Sequence, residues 1–212
     1  MAIKINLEAT EANLFCSSKW WGDPDLPADM EYPTVPVHDD EDGDYDYPLT
    51  FICQIDCEDL APLDPEGRLP HQGMFYIFAG LDEYLEDFDS PFHNGLGQWE
   101  KKMVVVKYTK AINFETFHSN ILVDDDDQPL TLPALKMSFE ACPDNEDCTK
   151  LLGVPFFEEV LQELPEHVNF LQIDSDTAGL RFYDGGMLNL LYKKADFEAG
   201  KWKLVKGYLT SC

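Results

Sequence analysis

Two amide–carboxylate pairs, Gln54 with Asp56 and Gln172 with Asp174, are the residues of this chain best placed to do chemistry. Each pair closes an apolar run: Phe51-Ile52-Cys53-Gln54-Ile55-Asp56, and again Phe170-Leu171-Gln172-Ile173-Asp174. A Gln inside such a run is buried on a strand, and a buried amide left without partners costs roughly 1–3 kcal/mol. The Asp stands where the chain leaves the interior. Two readings follow. In the structural one, preferred here, each Gln pins backbone of the neighbouring half. In the functional one, both pairs line a shared cleft at a pseudo-two-fold interface, where amides and carboxylates would hold a small molecule or a cation. Trp21, Asp23 and Asp184 complete the candidate binding set. Trp21 belongs to a Trp20-Trp21 pair whose large apolar area pins a loop to the core, or offers a stacking platform. Asp23 lies in Gly22-Asp23-Pro24 and Asp184 in the turn Asp184-Gly185-Gly186.

No catalytic signature accompanies them. The chain has no Gly-x-Ser-x-Gly elbow, no Walker loop, no Gly-x-Gly-x-x-Gly after a strand and no His-Glu-x-x-His. Its five histidines, His38, His71, His93, His118 and His167, are scattered, and a lone loop histidine is far more often solvated than catalytic. Cys16 or Cys57 with one of them would make a thiol pair, but no spacing supports it. An enzyme is therefore the less favoured reading, with no catalytic residues and no cofactor assigned.

Metal chemistry fares no better. Residues 38–46 carry Asp39, Asp40, Glu41, Asp42, Asp44 and Asp46 around Gly43. Set as a calcium loop with Gly43 at position 6, the stretch puts His38 at position 1 and Leu49 at position 12, and both fail as ligands. It reads as a solvated acidic insert. The four-Asp run at 124–127 reads as a solvated turn. The cysteines form no Cys-x-x-Cys pair, so no zinc site is assigned.

The whole chain must position these groups with 212 residues, enough to bury a core without staples, and 44% hydrophobic content marks it as globular. Net charge is −26, from 41 acidic and 15 basic residues. Such a surface repels phosphate backbones and anionic membranes, which excludes nucleic acid and membrane as partners, and attracts basic proteins or cations. Met1-Ala2-Ile3-Lys4-Ile5-Asn6 lacks the apolar core of a signal peptide, and no apolar run approaches the ~18 residues of a membrane span. The expected location is the cytoplasm, with the six cysteines as thiols and Cys53 in the core.

The elements come in a repeating order: a Gly-x-Pro turn (Gly22-Asp23-Pro24; Gly153-Val154-Pro155), a strand ending Gln-Ile-Asp, then a Gly-led strand (from Gly73; from Gly186). Three elements in the same order suggest duplication of one unit, with halves at about 18–140 and 150–212. Strands are expected at 3–7, 48–55, 73–79, 102–108, 111–117, 120–123, 131–139, 168–173 and 202–209. Leu180 to Tyr183 and Met187 to Tyr192 read as a hairpin about Asp184-Gly185-Gly186. Helices are expected from Glu8, over 81–88 with Leu81, Tyr84, Leu85 and Phe88 on one face, from Pro155 to Leu164, and as a turn at 194–199 stopped by Gly200.

These motifs resemble a known family. Ser18-Lys19-Trp20-Trp21-Gly22-Asp23-Pro24-Asp25-Leu26-Pro27, Tyr32-Pro33, Pro48 through Asp56, and Leu69-Pro70 through Phe78 are similar to the YwqG-like family, also called DUF1963. Leu152-Gly153-Val154-Pro155, Leu171 through Asp176 and Asp184-Gly185-Gly186 agree, so the likeness spans roughly residues 15–210. Trp20-Trp21 departs from it, standing where the family usually shows an aromatic and then Gly. The resemblance implies one mainly-β (α+β) domain over 1–212, an antiparallel β roll with a few short helices, in a bacterial cytoplasmic protein. It carries no catalytic residues over. With the charge, it leads to an expected non-enzymatic interaction module binding a basic partner, of the immunity type that antagonises a toxin. The alternative is a small-molecule or metal-binding protein with a cleft between the two halves.

Overall fold

In a computed structural model that describes residues 1–39, 43–111, 113–123 and 127–211, the backbone forms antiparallel sheets joined by short helical turns. The class is the mainly-β, α+β one expected. Residues 40–42 and 124–126, within the two acidic stretches, and Cys212 lie outside the described residues. The chain separates into two compact units. One comprises Met1–Asn6, Gly80–Val104 and Phe139–Cys212; the other comprises Leu7–Ala79 and Val105–Ser138.

In the second of these units the strand Thr50–Asp56 lies between the two-residue strand Lys19–Trp20 and the strand Met74–Ala79. It is apolar on both faces because it is covered on both faces: Phe51, Ile52, Cys53 and Ile55 are all buried, as is every residue of Met74–Ala79. Continuous apolar runs of this kind mark strands with no solvated side. Trp20 and Trp21 are buried edge to face, 5.8 Å apart, so the pair does anchor the loop.

The other unit is built on the strand His167–Asp174, which lies between Lys150–Leu151 and Met187–Lys193. Lys206–Thr210 continues the sheet beyond Met187–Lys193, and the strand Ala2–Ala9 pairs with Lys150–Leu151. Phe170, Tyr192, Phe197 and Trp202 stack edge to face or tilted beneath it.

Several expected elements take another form. The strand Ala2–Ala9 runs on where a helix was expected from Glu8, leaving Ala12 and Phe15 exposed. The 81–88 helix shrinks to a 3-10 turn, Asp82–Leu85, because Glu86 takes a left-handed conformation (φ 69°) and Phe88 is 74% exposed. Pro155 does not start a helix; that helix is Glu159–Glu163, with Val160 buried and Phe156 outside it. Leu180 to Tyr183 forms no strand, and instead Gly186 donates its N–H to the Phe182 carbonyl. Among the described residues of 111–123 there are a 3-10 turn, the strand Phe117–Ser119 and one isolated bridge, rather than the two strands expected. Trp202–Leu204 is a 3-10 turn ahead of the last strand. The acidic stretch is not featureless: Thr34–Asp39 and Gly43–Pro48 pair as an antiparallel hairpin. The helix Lys194–Glu198 ends before Gly200 (φ 64°), as expected.

Two glycines fix how closely the third strand of each unit approaches. A Cβ on Gly73, which also has φ +88°, would sit 2.1 Å from the Thr109 carbonyl oxygen, and one on Gly186 would sit 2.3 Å from that of Thr210. No side chain fits at such distances without backbone movement. Gly73→Ala and Gly186→Ala should each lower the unfolding free energy by about 2 kcal/mol or more. Urea melts of the two variants check this; Gly67→Ala, whose Cβ meets nothing within 4 Å, serves as the strain-only control because it too has a positive φ.

Candidate functional site: two buried amide hubs

A bulge organises each central strand. Register shifts between Phe51 and Cys53 in one, and between Asn169 and Leu171 in the other. The residue freed by each bulge turns its carbonyl sideways: Ile52 accepts from the Trp21 N–H at 2.8 Å, and Phe170 accepts from the Leu152 N–H at 2.9 Å. Trp21 (φ 58°) and Leu152 (φ 61°) hold a left-handed conformation that bulky residues seldom adopt, each followed by a glycine with positive φ.

The two glutamines sit beside these bulges, fully buried. Gln54 Oε1 accepts from the Asp25 N–H at 2.9 Å, and its Nε2 donates to the Ser17 carbonyl at 3.0 Å and to Asp25 Oδ2 at 2.8 Å. Gln172 Oε1 accepts from the Phe156 N–H at 2.8 Å, and its Nε2 donates to the carbonyls of Cys148 at 2.8 Å and Glu146 at 3.4 Å. The partners of each amide belong to its own unit. This corrects the expectation that each Gln pins the neighbouring half: the backbone it meets is that of the short strand and loop running beside its own strand. Next along, a hydroxyl closes the same gap in both units, since Ser18 Oγ accepts from the Asp56 N–H at 2.9 Å and Thr149 Oγ1 from that of Asp174 at 3.0 Å.

In one unit the hub is ionic. The Asp25 carboxylate, wholly buried, accepts from the Lys19 ammonium at 2.8 Å, from the Cys16 N–H at 2.8 Å and from Ser119 Oγ at 2.6 Å, besides the Gln54 amide. Tyr76 Oη donates to the Asp25 carbonyl at 2.6 Å. A buried ion pair is tolerated when its remaining bonding capacity is filled, as here. In the other unit Lys150, also fully buried, donates instead to the carbonyls of Asp144 and Glu146. Lys19 and Asp25 lie in the 18–27 stretch that carries the family resemblance, and Lys150 just ahead of Leu152-Gly153-Val154-Pro155, but none of the three was given a role in the sequence reading. The one clue was a Lys following Ser18 and another following Thr149, each ahead of an apolar residue.

The predicted residues fall out as follows. Trp21, Asp23, Gln54 and Asp56 belong to one unit; Gln172, Asp174 and Asp184 belong to the other. Asp56 caps the helix Cys57–Leu60 by accepting from the Glu58 N–H at 3.0 Å. Asp23 accepts from Thr131 Oγ1 at 3.2 Å. It lines, with Lys19, Asp25, Ser119 and Thr131, an open hollow of about 470 Å³. Asp184 is exposed on its turn. Burial pushes the Asp56 carboxyl up, and burial together with Asp147 and Asp176 pushes Asp174 up to about 6.

The thiols are quiet. Burial and the Asp25 carboxylate push Cys16 up to about 12, burial and Asp56 do the same for Cys57, and burial raises Cys53 further still. Cys16, Cys53, Cys57, Cys142 and Cys148 are free cysteines, and a thiol so placed is a poor nucleophile at neutral pH. Among the described residues no group of His, Cys, Asp and Glu is arranged to hold a metal ion. Nor is any helix long and apolar enough to cross a membrane.

Compared with known families, residues 18–208 match the family described as "Domain of unknown function (DUF1963)". A search of the curated proteins gives no match.

Asp25→Ala leaves Lys19 buried without its counter-ion and should cost about 3–5 kcal/mol in a chemical melt. Asp174 behaves oppositely. Its folded pKa lies above the unfolded value of 3.8, so the folded state binds the extra proton between about pH 4 and 6 and stability falls as pH rises through that window. Asp174→Asn should therefore flatten the pH dependence of Tm between about pH 4 and 6. It should also raise Tm slightly at pH 7, by less than about 1 kcal/mol of stability because the carboxyl is partly solvated.

Proposed function

Because the chain belongs to the DUF1963 family, whose description assigns no activity, we propose a role from its own residues: a non-enzymatic interaction module that binds a basic protein partner. The observation that carries this reading is a net charge of −26 on 212 residues. A field of that size draws cationic partners over distances of about a Debye length, about 10 Å at 0.1 M salt, and speeds their encounter.

The hairpin Thr34–Asp39 with Gly43–Pro48 is the surface best suited to receive the partner. Its second strand alternates Asp44 and Asp46 with Tyr45 and Tyr47, so carboxylates face one side and phenol rings the other. Asp44, Tyr45 and Asp46 are exposed, and the two rings meet edge to face at 6.5 Å. Carboxylates beside exposed tyrosines suit lysine and arginine side chains, which pair with the acids and lie against the rings. An immunity-type antagonist of a basic toxin is the finer form of this reading, and a bacterial cytoplasm is the setting such a role implies. The free thiols accord with a reducing compartment.

The same reading includes descent from a duplicated unit. Its support is the set of matched features: the bulge, the left-handed Trp21 and Leu152, the buried Gln, the Ser18 and Thr149 hydroxyls, and the crowded Gly73 and Gly186.

Capture from the native cell lysate at low salt should retrieve a basic protein that elutes as salt is raised. The double variant Asp44→Lys/Asp46→Lys should retain it about tenfold less well, because rim charges govern such encounters. If nothing salt-sensitive is retrieved, the reading fails.

A further inference from the structure

A chain with so few cations gathers four cation-capable side chains around one small cavity. In the unit that contains the C-terminal strands, a cavity of about 240 Å³ is walled by Lys101, His167, Lys193 and Lys206, with Trp99 and Val205 as its apolar side. His167 opens the strand His167–Asp174, and Lys193 is its direct cross-strand neighbour at the end of Met187–Lys193. Lys206 begins the adjoining strand, and Lys101 comes from the 3-10 turn Lys101–Met103. Four separate elements thus send positive or protonatable groups to one place.

His167 is what makes the cavity more than a group of surface lysines. The residue is only 8% exposed, and both ring nitrogens are enclosed without a hydrogen bond of good geometry, the Leu164 backbone being the one hydrogen-bonding group that acts on the ring. A neutral imidazole carries one N–H donor and one acceptor, and a buried ring with neither satisfied costs about 1–3 kcal/mol. Buried polar atoms without partners call for a physical reason, and a ligand received from the cavity is one. The acidic groups do not cancel the lysines: Asp196, which also lines the cavity, is held by Lys201 at 2.8 Å, and Glu166 is the one carboxylate among the charges acting on His167. Burial, Lys206 and Lys193 together hold the imidazole below its ordinary pKa, so the ring is neutral at pH 7 and has an N–H to give.

We propose that this cavity binds a small organic anion through one carboxylate or phosphate group, received by the ammonium groups of Lys101, Lys193 and Lys206 and by a ring N–H of His167. Trp99 and Val205 would lie along a short apolar body. The volume suits a molecule of few atoms rather than a nucleotide or a peptide, since drug-sized ligands occupy about 300–1,000 Å³. The overall negative charge does not forbid it. At physiological salt, exposed charges beyond about 8 Å are largely screened, and the near lysines dominate. This inference is independent of the basic-partner reading, which concerns another surface and the opposite sign of charge.

NMR titration of the whole chain with sodium phosphate and, separately, sodium propionate tests it, each against sodium chloride at matched ionic strength. The His167 ring signal, assigned by its loss in His167→Asn, should shift saturably with one or both probes and not with chloride. Phosphate alone saturating marks a phosphate-bearing ligand; propionate alone marks a carboxylate. Lys193→Gln/Lys206→Gln, with the fold checked by circular dichroism because Lys206 is half-buried and donates to Gln98 Oε1 at 3.2 Å, should weaken the bound probe by about tenfold or more. No saturable shift beyond the chloride control, or undiminished binding by the double variant, overturns the proposal.

Discussion

A glutamine amide buried among carbonyls governs both units of this protein. With no water to share, its three bonds must all be met by chain, and meeting them decides where the loop beside each central strand must run. Gln54 takes up Ser17 and Asp25; Gln172 takes up Cys148 and Phe156. The bulge, the left-handed residue before glycine and the hydroxyl on the next backbone N–H are the ways the chain reaches that arrangement. A network of this kind is all or nothing, because one missing partner strands the others in a low-dielectric interior.

The same frame tolerates different electrostatics. One unit answers its buried lysine with a carboxylate, Asp25; the other answers Lys150 with two carbonyls. The second arrangement gives its cation no carboxylate in direct contact, and burial lowers the Lys150 pKa against the opposing pull of Glu146 and Asp144 nearby. Differences also appear at the sheet ends. Leu49 precedes the strand Thr50–Asp56 as a buried apolar residue, whereas His167 opens the strand His167–Asp174 with an unmet ring. Where the units agree they build the frame, and where they differ they offer chemistry.

How much of this was readable in the sequence depends on the range of the interaction. Continuous apolar runs gave the two central strands and their partners, because burial on both faces leaves a local mark. The Gln-Ile-Asp phrase marked both hubs for the same reason. Helices were over-read wherever apolar spacing matched a helical period without the length to sustain it, as at Leu81 to Phe88, where Glu86 turns the chain after one turn. Asp25 was missed because its bonds reach Cys16, Lys19, Gln54 and Ser119, none adjacent to it. His167 was missed because a single histidine at a strand end looks the same in sequence whether its ring is hydrated or enclosed. The hairpin within 34–48 was hidden by two prolines and a run of acids that read as solvated loop.

The order in which the chain is threaded sets the order in which the ribosome can finish each part. The unit formed by Leu7–Ala79 and Val105–Ser138 has all its residues once position 138 has emerged. The other needs both Met1–Asn6 and Lys206–Thr210, so the strand Ala2–Ala9 must wait, its edges unpaired, until Leu135–Cys142 arrives on one side and Lys150–Leu151 meets Ile3 and Lys4 on the other. During that interval a short apolar strand is open to strangers, a vulnerability that a chaperone or rapid translation of the last third would shorten.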